Sequence, residues 1–449
     1  MLDVKRVLPY TNAVKLIQRS SIPILMNALM LQLFSVQQFW FVSWCVGLGA
    51  AASFSIASIY IFTVVSTFTA KSRGATEMAE QAYKEGRMDD FRNIINTLII
   101  HSIFLGIVAM FATMVVAPFY CSWINTPDEI YDQTVKFLKV FAHLFPLIFT
   151  YNSSALILGI FGDYSLSTIV QTVSFLLSGM ANYVLLVILD MSMNSVAYSA
   201  FLSQFVCVIL CLYFVDHKDE GIKLGWKNRS FDPSLIMKFF HNGRNAILLA
   251  CGAALSRSVA QYYINACGIK IIVAFAIYFL IEETIFLPIS STKGPIAHFS
   301  AEQVDDPSNN NLVRTINVLI LGATLFTIIT SIIFTQFSDL CMIAFTSDSE
   351  VIKCGVQIFK VIVPYLVGKT LVNVLSSSLE GLGRKKEVMA INLGILRLFR
   401  IIIVIVICSI VVDHIAIAIT IPLSWALAAV VLTLYYYLYY SNRGNNSIN

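Results

Sequence analysis

The chain has 449 residues, of which 57% are hydrophobic and only 12% charged, against about 25% charged in an ordinary soluble domain. Its 30 Lys and Arg against 26 Asp and Glu leave a formal charge of +4, too small a bias to argue for a nucleic-acid partner. A water-soluble globule is excluded, because the apolar residues run in stretches near the roughly 20 that a helix needs to cross a hydrocarbon core.

Twelve such spans are predicted in chain order. The first, 18–44, carries Pro23 and the stretch "SVQQFWF" with Gln37 and Gln38 side by side; it is too long and too polar at its end to be a cleaved leader. Then come 50–70, 94–117, 135–160 with Pro146 and Asn152, 167–189 with Asn182, and 196–215. The second six are 243–267 with Arg257, Gln261 and Asn265, 271–290 with Tyr278, Glu282 and Glu283, 314–335, 352–380 with Pro364, Lys369 and Asn373, 388–411 with Arg397 and Arg400, and 416–440.

Orientation follows from basic residues, whose translocation is disfavoured. Alternate connections hold Lys5, Arg6 and Lys15; Lys71, Arg73, Lys84, Arg87 and Arg92; Lys218, Lys223, Lys227, Arg229 and Lys238; Lys293 and Arg314; and Arg384, Lys385 and Lys386. The intervening ones, such as "YCSWINTPDEIYDQ" and "DMSMN", hold none. Both termini are therefore expected in the cytoplasm, and the plasma (cell inner) membrane is the expected location. The 9 Cys are scattered without metal-ligand spacing, so neither a metal site nor a structural disulfide is expected.

The chain repeats itself at an offset of about 222 residues: Lys71 falls on Lys293, "AEQ" at 79–81 on "AEQ" at 301–303, and Arg92 on Arg314. "SVQQFWF" falls on "SVAQYYI", Asn152 on Asn373, and Gly162 on Gly383. Six spans per unit give parallel repeats related by a pseudo-twofold along the membrane normal. The expected fold is an all-α polytopic membrane protein, 12 transmembrane helices in two six-helix lobes around a V-shaped central cleft. The expected boundaries are an N-terminal lobe 1–216, a cytoplasmic linker 217–238, a C-terminal lobe 239–441 and a cytoplasmic tail 442–449.

Two six-span halves also describe the major facilitator architecture, but four stretches point elsewhere. "KSRGATEMAEQAYKEGRMDDFRNIINTLI", "AFAIYFLIEETIFLPISSTKGP" at 274–295, "SLEGLGRKKEVMAINLGILRLFR" at 378–400 and "IPLSWALAAV" at 421–430 resemble the multidrug and toxic compound extrusion (MATE) family, within the multidrug/oligosaccharidyl-lipid/polysaccharide exporter superfamily. Pro23 sits where that family has a helix-one Pro. The resemblance implies that Glu282, at the helix-eight Glu position, couples cations or cationic substrates, and that Arg400 is the Arg common in helix eleven. It places Gln37 at a helix-one Asp position and Asn182 at a helix-five carboxylate position. An amide does not titrate near neutral pH, so the ion chemistry is expected in the second half.

A charge at mid-membrane costs about 2.5–3.5 kcal/mol on insertion scales, so each calls for a partner or a role. Glu282 and Glu283 are the candidate ion-coupling residues. Arg257, Gln261 and Asn265 form one helical stripe and Lys369, Asn373, Ser376 and Glu380 another. Two readings stand for these bases: static ion pairs between helices, or a site for an anionic or zwitterionic ligand. Candidate substrate contacts are Gln37, Gln38, Asn152, Asn182, Arg257, Gln261, Asn265, Tyr278, Lys369, Asn373 and Arg400. Pro23, Pro146 and Pro364 are candidate hinges, since Pro breaks the helical ladder. With no Walker A sequence, HExxH pair or nucleophile elbow, an enzyme is not expected.

The expected function is a secondary active exporter of small organic molecules, multidrug-type, working as a monomer by proton or sodium antiport with no cofactor besides that ion. The partners are the solute and membrane lipid. A lipid or lipid-linked oligosaccharide flippase and a non-transporting receptor or scaffold are the alternatives.

Overall fold

The computed structural model describes residues 10–162, 164–217, 231–303 and 310–446. Lys5 and Arg6, residues 218–230 of the expected linker and the end of the expected tail, 447–449, lie outside the described residues. Among the described residues every regular element is helical, and 12 helices are long and apolar enough to span a membrane. They are Asn12–Val46 (α1), Leu48–Lys84 (α2), Met88–Trp123 (α3), Asp128–Ile160 (α4), Ser165–Ile188 (α5), Asn194–Asp216 (α6), Pro233–Ala266 (α7), Ile269–Glu302 (α8), Leu312–Gln336 (α9), Ser349–Gly381 (α10), Lys385–Ile410 (α11) and His414–Tyr439 (α12). All twelve predicted spans are found. Several run farther than hydropathy alone showed, because amphipathic segments such as "AEQAYK" after α2's apolar run continue the same helix.

Local chemistry sets the ends. Asp348 caps α10 by accepting from Glu350 N at 2.9 Å and Val351 N at 3.0 Å, and Asp232 caps α7 through Ser234 N at 2.9 Å. These side chains satisfy donors that a helix start leaves open. Gly162 (φ 71°) and Gly383 (φ 83°) end α4 and α10 in the left-handed region that only glycine enters freely. The repeat therefore reuses one turn as well as one sequence pattern.

Five spans depart from α-helical pitch. Single π-helical segments occupy Val42–Val46 in α1, Tyr183–Ile188 in α5 and Gly394–Phe399 in α11. Short 3₁₀ turns at Ala142–Leu144 and Val363–Tyr365 divide α4 and α10. Pro146 lies two residues beyond the first and Pro364 inside the second, where a residue without N–H does least damage to the ladder.

The chain divides into two compact units, Met30–Ala276 and Met1–Leu29 with Ile277–Asn449. In the 30–276 unit the seventh span packs along the second. A Cβ on Gly74 of α2 would lie 2.8 Å from the Phe239 carbonyl oxygen and against the Gly243 backbone of α7, so only two glycines allow that approach. Its core joins Ala75, Ala79, Phe91, Leu98, Leu158, Cys211 and Phe239. In the 277–449 unit the core joins Ala13 and Ile17 to Ile296, Phe299, Leu375, Leu379, Ala428 and Leu432. Outward faces are apolar as well, for example Phe104, Phe111 and Val115 of α3 and Ile329, Ile332 and Ile333 of α9, as lipid contact requires.

Candidate functional site

The polar residues of the spans collect into separate clusters. In the 30–276 unit, "SVQQFWF" ends just before the π-helical segment of α1, and Asn182 stands immediately before that of α5. Ser199 of α6 donates to Asn182 Oδ1 at 2.5 Å, and Asn182 Nδ2 donates to Gln38 Oε1 at 3.0 Å. Gln38 Nε2 in turn donates to Ser178 Oγ. All four side chains are buried, and the chain of bonds is neutral throughout. Gln37 lies half-buried over Gly179, where any side chain would collide with its amide, and its Oε1 has no hydrogen-bond donor. Of the two glutamines, Gln38 is thus spent on structure, and Gln37 keeps an acceptor for use.

The stripe on α7 also belongs to the 30–276 unit. Gln261 Nε2 donates to Asn265 Oδ1 at 2.6 Å, and Asn265 Nδ2 donates to the Ile124 carbonyl at 2.7 Å, closing the end of α3. The Arg257 guanidinium lies over the Phe62 ring, 4.4 Å from its centroid. Asn152 Nδ2 reaches Thr69 Oγ1 at 3.4 Å. These residues meet groups of the first half of the chain and are not part of the Lys369 cluster. Lys71, read above only as a marker of orientation, is 1% exposed. Its ammonium lies 5.4 Å from the Phe68 ring and 5.3 Å from that of Phe240, with no hydrogen-bond acceptor.

The 277–449 unit holds charge. Tyr278, Glu282 and Phe286 recur every fourth residue on α8 and are all buried, one face of the helix. Lys369 of α10 donates to Glu282 Oε1 at 2.7 Å, and its ammonium also sits 4.2 Å from the Phe286 ring and 5.7 Å from that of Trp425. Gly368 lets α12 close on α10 here: a Cβ at that position would lie 3.3 Å from Trp425. Arg400 donates from Nε at 2.8 Å and Nη2 at 2.6 Å to Ser424 Oγ, and its guanidinium carbon is 5.9 Å from the same Trp425 ring. Glu283 is half-buried beside Glu282, and the Asn373 carbonyl accepts from Ser377 Oγ at 2.6 Å one turn beyond Lys369. A carboxylate, an ammonium and two aromatic faces therefore meet at one place.

Of the candidate hinges, Pro146 and Pro364 stand at the 3₁₀ breaks, while Pro23 lies within an unbroken stretch of α1. The sequence reading did not single out Ser178, Ser199, Phe286, Ser424 or Trp425. Ser424 and Trp425 lie inside the quoted "IPLSWALAAV", so the signal was present but not resolved to side chains.

Twelve apolar spans with these internal polar clusters define an integral, multi-pass helical membrane protein. The family model described as MatE matches residues 23–184 and 262–406, one segment in each half. The chain belongs to the MatE family of membrane transporters, as the loop and helix-eight stretches suggested. Its fold is similar to the inward-facing conformation of a multidrug resistance MATE family transporter, with TM-score 0.85, 14% identity, and 95% of this chain and 99% of that one covered. A MOP superfamily transporter from Pyrococcus furiosus, whose structure is described by a reverse polarity of its binding pocket, superposes with TM-score 0.77 at 15% identity, covering 96% and 97% of the two chains. The outward-facing conformation of a multidrug resistance MATE family transporter gives TM-score 0.76 at 14% identity, covering 96% and 97%. At such identities the likeness establishes the fold. A comparison with curated proteins finds no match.

Proposed function

We propose that the protein is a secondary active exporter of small organic molecules, driven by inward movement of protons or sodium through alternating access of its lobes. The observation that carries this reading is the buried Glu282–Lys369 pair at 2.7 Å. A lone charge at mid-membrane costs about 2.5–3.5 kcal/mol, so the carboxylate exchanges one cation for another instead of standing alone. A proton or sodium ion on Glu282 releases Lys369, and a cationic solute group competes for the same carboxylate and for the faces of Phe286 and Trp425. Competition for one carboxylate is the simplest physical basis of antiport. The neutral Gln38–Asn182 chain supplies no such exchange, and Gln37 and Asn152 are assigned to solute contact. The coupling ion is the only cofactor proposed, the transporting unit is the monomer, and the termini are placed in the cytoplasm of a plasma membrane by the Lys and Arg distribution.

The test is transport of a dye-like organic cation in proteoliposomes under a proton or sodium gradient. Glu282→Gln is expected to abolish accumulation against a gradient while exchange of solute for solute persists. Retained accumulation in that variant contradicts the reading. A second reading, a flippase for phosphate-bearing lipids, draws on Lys369, Arg397 and Arg400, which outnumber Glu282 and Glu283 in the same unit. Lipid scrambling without solute movement selects the flippase, and absence of both selects a receptor or scaffold.

A further inference from the structure

Residues Asp132, Lys136, Lys139 and His143 form one exposed face of α4, and with Val135, Val140 and Met114 of α3 they line an open groove of about 540 Å³. Within the 30–276 unit α4 packs against α2, α3 and α6, which leaves this face turned outward beside the apolar stripe of α3. Neither Lys136 nor Lys139 has an ion pair or hydrogen bond among the described residues. Asp132 lies one turn from Lys136 toward the end of the helix, and His143 Nδ1 is 3.1 Å from the Val140 carbonyl.

Depth decides what this face meets. The 33 residues of α4 span about 50 Å at about 1.5 Å per residue, against a hydrocarbon core of about 30 Å, leaving about 10 Å beyond the core at each end. Lys136 and Lys139 lie about 12 and 17 Å from the helix start, just inside the hydrocarbon boundary, where an ammonium must reach up toward headgroup level. Met114 lies about 14 Å from the end of α3, at the same level. Below it Val115, Phe111, Val108 and Phe104 are exposed along one face of α3. That stripe covers about 17 Å, close to one leaflet's depth.

We propose that this groove is a binding site for an anionic phospholipid, in the leaflet on the side of the α3–α4 turn. The phosphate and headgroup charge sit on Lys136 and Lys139, and an acyl chain follows the α3 stripe. A net positive groove at headgroup level with an apolar track leading inward matches both parts of that molecule, whereas a free anion uses only the first.

Full-length protein reconstituted with phosphatidylglycerol and phosphatidylcholine, then released and measured by native mass spectrometry, tests this. The wild type should retain phosphatidylglycerol preferentially, and Lys136→Gln with Lys139→Gln should reduce that preference about tenfold or more, the order expected for two interfacial charges. Lys84→Gln, at the other end of the unit, should leave it unchanged. Met114→Trp, which fills the groove and keeps both lysines, should also reduce retention. Inorganic phosphate should not displace the lipid. Equal retention by wild type and the double variant, or displacement by inorganic phosphate, would overturn the proposal.

Discussion

The two units place polar side chains inside a membrane by different means. In the 30–276 unit the buried chain Ser199–Asn182–Gln38–Ser178 is made of hydroxyls and amides that satisfy one another. In the 277–449 unit Glu282 and Lys369 face each other at 2.7 Å with Phe286 and Trp425 around the ammonium. The first arrangement is closed: every bond is local, and adding one cation changes nothing in it. The second is open to exchange, because neutralising Glu282 removes the partner of Lys369. Two lysines at repeat-related positions sharpen the contrast. Lys293 lies 3.5 Å from Glu380, while Lys71 is buried among rings with no acceptor, since Gly159 stands where the repeat offset would set the matching acid.

The strongest way to break this comparison is to remove one partner of the charged pair. Lys369→Met leaves Glu282 buried and unpaired, and thermal or denaturant unfolding in detergent should show a loss of about 3 kcal/mol. Combining it with Glu282→Gln should recover most of that loss, and simple addition of the two effects would mean that the pair is not coupled. The neutral chain should respond less. Asn182→Ala strands Gln38 Oε1 and the Ser199 hydroxyl and should cost about 2 kcal/mol, with no change in the ion dependence of transport. Lys71→Met should act in the opposite sense to Lys369→Met. It replaces an acceptorless buried ammonium by an apolar chain of similar length and should stabilise the protein by about 1 kcal/mol. Destabilisation by Lys71→Met would point to a partner not seen in this structure.

Much of the fold was legible because membrane spans are set by length and apolarity alone. The repeat was legible because it reuses residues with a backbone reason: Gly162 and Gly383 both take positive φ, and Pro146 and Pro364 both stand at 3₁₀ breaks. The polar residues were legible as a set but not as pairs. Glu282 and Lys369 are separated by 87 residues, and nothing in helical spacing says which helices meet. For the same reason the Arg257–Gln261–Asn265 stripe was read with the second-half bases, whereas its bonds run to the end of α3 and the Phe62 ring. The depth of Lys71 escaped notice because hydropathy sees a basic residue at the end of a span, not the glycine contact that carries α7 across it. The π-helical segments beside Gln38, Asn182 and Arg397 carry no pattern in a single sequence.

The most direct test of the central claim compares Glu282→Gln and Asn182→Ala side by side in proteoliposomes, measuring uptake of an organic cation together with counter-movement of protons or sodium. Loss of ion-driven uptake in the first variant, with retained ion dependence in the second, is the predicted result. Ion-coupled uptake that survives Glu282→Gln and disappears in Asn182→Ala would place the coupling chemistry in the other unit and contradict the account.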